Sequence, residues 1–476
     1  MKRRISRLKI NYFYVVSLRI LQVITPFITA PYIARKFGPE GIGQNSYIYS
    51  IAYYFVIFSL LGNQKYGNRE CAKVKDNTRK LSNVFWGIYS VQLTFTFIFT
   101  LFYILICFSF SEEIQIIGYI YIIYVLSAGF DISWFYYGLE KFQFIFIRGV
   151  IIKLLGVVSI FLFIRKNEDL WIYALIISLS ALVSNALLWI TLRKTLFSFV
   201  QSLEHINFID YLKHLKSSSV LFIPVVAVSI YKIMDKIMLG GMAGMSQTGY
   251  YENAEKIINI LLGILTSLST VLLPKISYLV GQKEYGDIKS LFIKSINYTV
   301  FLGVGMTFGI IAISSNFIRL FFGAEFLDSI PILKTLAPTL ITIGLGDVIV
   351  NQYLIPRDEN KLFIISVSVG ACLNLILNIL LIPRFFALGA AYATLFTEIV
   401  VLGIQYSVIK HTYPLNQIFV NTWRIIISSF LMFYVVKSIK IMYGSIVLTL
   451  IVQVVLGVFL YFLIYTLLYL VPSRQS

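Results

Sequence analysis

Apolar stretches of about twenty residues, nearly free of charge, recur along almost the whole of this chain, and no other feature limits its fold so strongly. A helix needs ~20 apolar residues to cross the hydrocarbon core of a bilayer. By that measure about 14 spans are read, roughly at 11–33, 42–63, 83–109, 114–137, 144–164, 170–192, 217–240, 249–273, 291–315, 330–354, 361–382, 386–409, 419–441 and 445–470. The 476 residues are 58% hydrophobic and 13% charged, too little polar surface to coat a soluble domain of that length. A bilayer removes the difficulty, because lipid-facing positions are apolar too. The expected fold class is an all-α membrane protein of about 14 transmembrane helices.

The net charge of +18 could suggest nucleic acid. Its distribution argues otherwise. On the N-terminal side of the spans lie Lys2, Arg3, Arg4, Arg7 and Lys9, then Lys65 to Lys80, Lys213, Lys216, Lys275 to Lys294, Arg357, Lys361 and Lys410. The opposite side holds Arg35, Lys36, Arg165, Lys166, Arg319, Arg384, Lys437 and Lys440. A bias of roughly three to one predicts both termini in the cytoplasm and no nucleic-acid partner. No cleavable signal peptide is expected, since the apolar stretch after Met1-Lys2-Arg3-Arg4 is long and lacks a small-residue cleavage site. Cys71, Cys107 and Cys372 lack ligand spacing, and His205, His214 and His411 fall in polar connections, so neither disulfide nor metal site is expected. The longest connection, about 193–216, is too short for a soluble catalytic domain.

Two halves of the chain overlie one another. Gly38-Pro39-Glu40-Gly41-Ile42-Gly43 lies over Gly244-Met245-Ser246-Gln247-Thr248-Gly249 without a gap, and the same offset sets Arg69 over Lys275. Further on, Asp131-Ile132-Ser133 lies over Asp347-Val348-Ile349, each stretch closing an even span before a charged turn. Spans 1–6 and 7–12 are therefore expected to form two pseudo-symmetric six-helix lobes with the same orientation, leaving two C-terminal helices over. The domains so read are 1–195, a cytoplasmic linker 196–216, 217–410, and 411–476. The seam between such lobes is where transporters place a substrate path, and rocking of the lobes gives alternating access.

Charges within spans come next, because each costs about 2.5–3.5 kcal/mol near a helix centre on insertion scales. Arg19 lies in span 1, ahead of Pro26 and Pro31, which weaken the helix. Arg148 and Lys153 share span 5, but five residues at ~100° each set them about 140° apart, so one is expected to bind a neighbouring helix or snorkel. Lys232, Asp235 and Lys236 lie in span 7; Glu252 and Lys256 open span 8. One-turn spacing of Asp235 from Lys232 and of Glu252 from Lys256 allows ion pairs that join helices or gate a path, and a substrate role is the alternative. Asp131 and Asp347 sit at matching span ends, where a carboxylate either exchanges a proton or caps a helix; Glu398 lies mid-span without a local partner. Arg424 is expected to snorkel. Tyr47, Tyr49, Tyr53, Tyr54, Tyr250 and Tyr251 are expected in an interfacial belt, with stacking on sugar rings as the alternative. Cations outnumber isolated acids along the presumed path, which suits an anionic, phosphate-bearing substrate.

Several runs resemble the Wzx-type polysaccharide flippases of the multidrug/oligosaccharidyl-lipid/polysaccharide exporter superfamily. They are Tyr231 to Gly240, Thr248 to Ile257, Val271-Leu272-Leu273-Pro274-Lys275-Ile276-Ser277, and Ile382-Pro383-Arg384-Phe385 with Leu388 to Thr394. Near the start, Pro31 to Gly43 and Tyr66-Gly67-Asn68-Arg69-Glu70 fit as well, so the resemblance covers most of 1–410. It implies a MATE-like fold of two six-helix lobes in a V plus two peripheral helices, in a bacterial cytoplasmic membrane. The cargo it implies is an undecaprenyl-diphosphate-linked oligosaccharide, and its implied partners are membrane lipid, a polysaccharide polymerase and chain-length proteins. On that reading Arg19, Arg148, Lys153 and Lys232 hold the diphosphate, and Asp131, Asp347 or Glu398 exchanges H+ or Na+; no other cofactor is expected. A multidrug antiporter of the same fold would favour an acidic cavity. A membrane polymerase would need a large external loop with catalytic residues, and a scaffold would need no buried charges.

Overall fold

The computed structural model describes the backbone of residues 2–201, 208–415, 422–439 and 444–470. Side chains at 2–13, 15–16, 18–20, 22–23, 193–201, 231 and 270 lie outside the described residues, and so does the expected role of the Arg19 side chain.

Among the described residues the chain is helical and has no β-strand. The helices are α1 (Lys2–Leu60), α2 (Asn63–Val74), α3 (Thr78–Cys107), α4 (Glu112–Ser127), α5 (Ser133–Gly138), α6 (Phe142–Phe163), α7 (Leu170–Gln201) and α8 (Phe208–Met242). They continue with α9 (Met245–Leu265), α10 (Ser267–Gln282), α11 (Tyr285–Phe321), α12 (Ser329–Leu336), α13 (Thr339–Ile349), α14 (Asn360–Ile409), α15 (Thr422–Ser438) and α16 (Ile446–Leu470). Ten helices among the described residues are long and apolar enough to cross a membrane. Their exposed faces carry large apolar side chains such as Phe97, Leu101 and Leu105 on α3, surface that only lipid covers without penalty. This is a multi-pass membrane protein.

The chain divides into two compact units, Met1–Ile237 and Met238–Ser476, the division falling inside α8. In the first unit α1 packs on α3, α4 and α6, and α4 on α7. Its core is aromatic, centred on Phe85, Trp134, Phe135 and Tyr136. In the second, α11 packs on α13, α15 and α16 around Phe292, Val300, Met432 and Tyr461.

Backbone interruptions fall at matching places in the two halves. Gly38 bends α1 at φ 63, ψ −176, and Gly244 precedes α9 at φ 96, ψ 168, a conformation open to glycine and hostile to a Cβ. These are the two glycines that the repeat superposes. α1 then breaks at Leu61 and Gly62 before α2, and α9 gives way to α10 at Thr266. Gly62 is required twice over: its φ is 74, and an added Cβ would lie 2.7 Å from Ser218 O on α8. A second bend, at Phe386 (φ 52), divides α14 between the stretches read as spans 11 and 12.

Candidate functional site

The fourth span of the first unit is unwound. α4 ends at Ser127, one 3-10 turn covers Ala128–Phe130, Asp131 is extended at φ −79, ψ 97, and α5 begins at Ser133. Unwinding strands carbonyls that no water reaches in a bilayer core, so side chains must satisfy them. Gln92 of α3, fully buried, donates through Nε2 to Ala128 O (2.6 Å) and Asp131 O (2.9 Å), and its Oε1 accepts from Trp134 Nε1 (3.0 Å). From α7, Asn185 Nδ2 donates to Ser127 O (2.9 Å) and Trp189 Nε1 to Phe130 O (2.9 Å). The Asp131 carboxylate accepts from the Ser133 backbone N–H (2.9 Å) and from Gln64 Nε2 of α2 (2.7 Å). It caps α5 and ties α2 to the break.

Arg148 of α6 belongs to the same network. Its guanidinium donates to Ser184 O (2.8 Å) and to Asn185 Oδ1 (3.2 Å), binding α6 to α7. Lys153, 140° around the helix, behaves differently. Exposed apolar residues Ile147, Ile151, Leu154, Leu155 and Val158 mark the lipid face of α6, and Lys153 points almost directly away from it. It is half-buried and, among the described residues, makes no hydrogen bond or ion pair.

Contacts between helices fix the levels of the other cations. The ring pairs Tyr14–Phe146 (4.9 Å) and Tyr32–Phe161 (4.8 Å) run α1 parallel to α6, so the backbone of residue 19 lies level with the stretch between Arg148 and Lys153. Phe58–Phe222 and Gly62–Ser218 run α8 antiparallel to the second limb of α1, which sets Lys232 level with Tyr49. The Tyr49–Tyr124 contact (3.3 Å), the Asn185–Ser127 bond and the approach of Gly156 to Ser180 carry that level across α4 and α7 to Lys153. Arg19, Lys153 and Lys232 therefore share one membrane depth within about a helical turn, with Arg148 nearer the break. Lys232 lies on the face of α8 that buries Ser218, Ser229, Asp235 and Leu239, yet it is exposed.

Tyr49 is not in an interfacial belt. Its ring packs against Tyr121 and Tyr124 at 5.8 and 5.3 Å inside the unit, where Tyr121 donates to Asn45 Oδ1 (2.8 Å). Tyr251 also turns inward, bonded to Thr394 (3.1 Å). Both hydroxyls find partners on neighbouring helices, which a headgroup position would not provide.

The second unit carries acids and amides. Asp347 lies near the end of α13 and accepts from Asn351 Nδ2 (2.8 Å), and a π-helical turn, Val350–Leu354, begins three residues beyond it, whereas the break of the first unit ends at Asp131. Among the described residues, neither side-chain polar atom of the fully buried Gln352 in that turn has a hydrogen-bond partner. Across α14, Gln405 donates to Ser366 Oγ (3.3 Å), and about two turns further along both limbs Glu398 comes level with Asn374. Glu398 is 6% exposed and Asn374 1%, and Asn378 Nδ2 donates to Asn374 Oδ1 (3.1 Å). Glu252 and Lys256 form the expected one-turn ion pair at 3.1 Å. Asp235 is buried and Lys236 half-buried. Arg424 does not snorkel: it is 3% exposed, its guanidinium flanked by the rings of Trp423 and Tyr469 at 5.3 Å each.

A family model described as polysaccharide biosynthesis protein matches residues 8–280. The chain belongs to that family. The model of the lipid II flippase MurJ also matches, over residues 156–467. An O-antigen transporter of Escherichia coli (strain K12) is 24% identical over 410 residues, 85% of this chain and 97% of the relative. A low-salt glycan biosynthesis flippase of Haloferax volcanii is 28% identical over 252 residues, 52% of each chain. Among solved structures, a lipid II flippase MurJ in an inward closed conformation superposes with TM-score 0.71 at 18% identity, covering 97% of this chain and 98% of that one. A multidrug resistance MATE transporter of the MOP superfamily gives 0.59 at 12%, covering 83% and 94%. The family and the MATE-like fold expected from the sequence are those found.

Sequence reasoning missed Gln64, Gln92, Asn185, Asn374 and Gln352. Each is an uncharged amide inside or beside an apolar run, where a hydropathy window averages it away. Searching apolar runs for Asn and Gln finds them directly, since an amide in lipid must bond to another helix or to a ligand.

Proposed function

We propose that this chain carries a lipid-diphosphate-linked oligosaccharide from the inner to the outer leaflet of a bacterial cytoplasmic membrane, without covalent chemistry. The observation that carries the reading is the shared depth of Arg19, Lys153 and Lys232 in the first unit. An ammonium held half-buried in a bilayer costs free energy unless an anion meets it. Lys153 has no such partner within the described chain, so a ligand supplies it. A diphosphate, with its many acceptor oxygens, fits several cations at one depth. The names of the relatives point the same way, toward glycan flippases and an O-antigen transporter. An organic cation would be repelled at this depth, which disfavours a multidrug antiporter.

In this reading Arg148 joins the binding set only when its bonds to Ser184 and Asn185 exchange for phosphate. Movement is by alternating access, driven by H+ or Na+ at Glu398 beside Asn374, or at Asp347; Asp131, already spent on capping, is the weakest of the three carboxylates for that task. Asp235, Lys236, Glu252 and Lys256 serve as helix-joining or gating charges. Both termini face the cytoplasm, and a polymerase with chain-length proteins takes the product outside.

Deleting the gene and assaying which leaflet holds the lipid-linked repeat units tests this. Accumulation on the cytoplasmic leaflet, relieved by the intact chain, supports it. Unchanged distribution and continued polymer export would refute it.

A further inference from the structure

A row of exposed cations lies outside the machinery just described, on the short helix α2 and the start of α3. We propose that this face is a docking surface for anionic phospholipid headgroups. The inference does not depend on what cargo the protein carries.

α2 is amphipathic in an unusual sense: its inner face is packed and its outer face is almost wholly basic. Asn63, Tyr66, Gly67 and Cys71 are buried, with Gly67 pressed on the Trp134 ring and Cys71 on Gly138. Away from them Lys65, Arg69 and Lys73 are exposed; Lys75, paired with Glu140 at 3.0 Å, and the exposed Asp76 follow, and Arg79 and Lys80 extend the row onto α3. Arg69 and Lys73 remain 55% and 57% exposed although both reach Glu70, at 3.0 and 2.9 Å. The helix joins the apolar second limb of α1 to the apolar run that begins at Leu81, so it lies where a bilayer meets water.

The arrangement distinguishes between anions. Lys65 to Lys73 alone spans ~12 Å along a convex helix. A single diphosphate needs cations that converge on one point, and these diverge. A plane of anionic headgroups matches a row of separate cations, each of which gains roughly fivefold in partition near such a surface. The packed inner face fixes the helix backbone, so little backbone freedom is lost on contact.

The test uses the full chain in zwitterionic micelles and the anisotropy of a tail-labelled phosphatidylglycerol, with phosphatidylcholine of the same tails beside it. Lys65→Gln/Arg69→Gln/Lys73→Gln/Lys80→Gln together should weaken phosphatidylglycerol binding roughly tenfold or more, and leave phosphatidylcholine unchanged. Glu70→Gln removes the acid that pairs with Arg69 and Lys73 and should tighten binding about twofold or more, a gain that a misfolded protein cannot give. Lys283→Gln/Lys289→Gln/Lys294→Gln, in the second unit, should change little. Unaltered affinity in the fourfold variant together with no gain in Glu70→Gln overturns the proposal. So does an equal loss in the second-unit variant, which would make total charge the cause, and so does displacement by micromolar inorganic pyrophosphate, which would mark a phosphate cradle.

Discussion

The two units each interrupt a helix close to the paired acids, at Ala128–Asp131 before α5 in one and at Val350–Leu354 beyond Asp347 in the other, and they treat the interruption differently. At Asp131 the unwound stretch is tied from three helices: Gln92, Asn185 and Trp189 take up the carbonyls of Ser127, Ala128, Phe130 and Asp131, and Gln64 the carboxylate. Three residues after Asp347 the backbone slips into a π-helical register, and the buried amide of Gln352 has no hydrogen-bond partner among the described residues. A break tied from three helices is a fixed joint. A break with hydrogen-bonding capacity unspent is one that can rearrange or receive a ligand, since buried amides are stable only when paired. On the proposed function, holding would fall to the first unit, where the cations sit, and coupling to the second, where Glu398 and Asn374 are level.

Substitutions at the two breaks probe that contrast. The largest effect is expected from Gln92→Leu, which leaves Asp131 O and Trp134 Nε1 without partners and Ala128 O with only the Asp131 backbone N–H. At ~1–3 kcal/mol for each orphaned group, not fully additive, a loss of about 3 kcal/mol or more should appear in denaturant unfolding in micelles. A loss under ~1 kcal/mol would mean that the break is not locked by this residue. Asp131→Ala removes the acceptor of the Ser133 N–H and of Gln64 Nε2 and should cost about 2–3 kcal/mol, whereas Asp347→Ala, whose bond from Asn351 stays within one helical turn, should cost less in the same assay. Equal costs would erase the distinction. In transport the order should reverse, with Asp347→Ala slowing turnover more than its stability loss explains. The smallest effect is that of Gln352→Leu: replacing an amide already unpaired should leave stability unchanged or raise it by up to ~1 kcal/mol. A clear loss would show that the amide is engaged after all.

Much of the fold was legible in the sequence because its causes are local. The apolar runs demand helices, and Gly38 and Gly244, which the repeat superposes, demand a turn that only glycine takes cheaply. The one-turn spacing of Glu252 and Lys256 was enough to predict their ion pair. The 140° between Arg148 and Lys153 foretold that they would part, and Arg148 proved to be the inter-helix residue. The network at Asp131 was not legible. Its members come from α2, α3 and α7, far apart in sequence, and nothing in an isolated span says which amide meets which carbonyl. Tyr49 and Arg424 misled for a related reason: a position near a span end suggests the headgroups, but a partner on a neighbouring helix draws the side chain inward.

The central claim is that cations at one depth of the first unit hold the diphosphate. Its most direct test is the affinity of Lys153→Gln/Lys232→Gln for a polyprenyl-diphosphate-linked monosaccharide, measured in micelles beside a variant-independent melting temperature. Neither lysine makes a hydrogen bond or ion pair among the described residues, so unchanged melting is expected, with binding weakened roughly tenfold to a hundredfold and the unphosphorylated polyprenol unaffected. Undiminished affinity for the diphosphate at normal melting would contradict it.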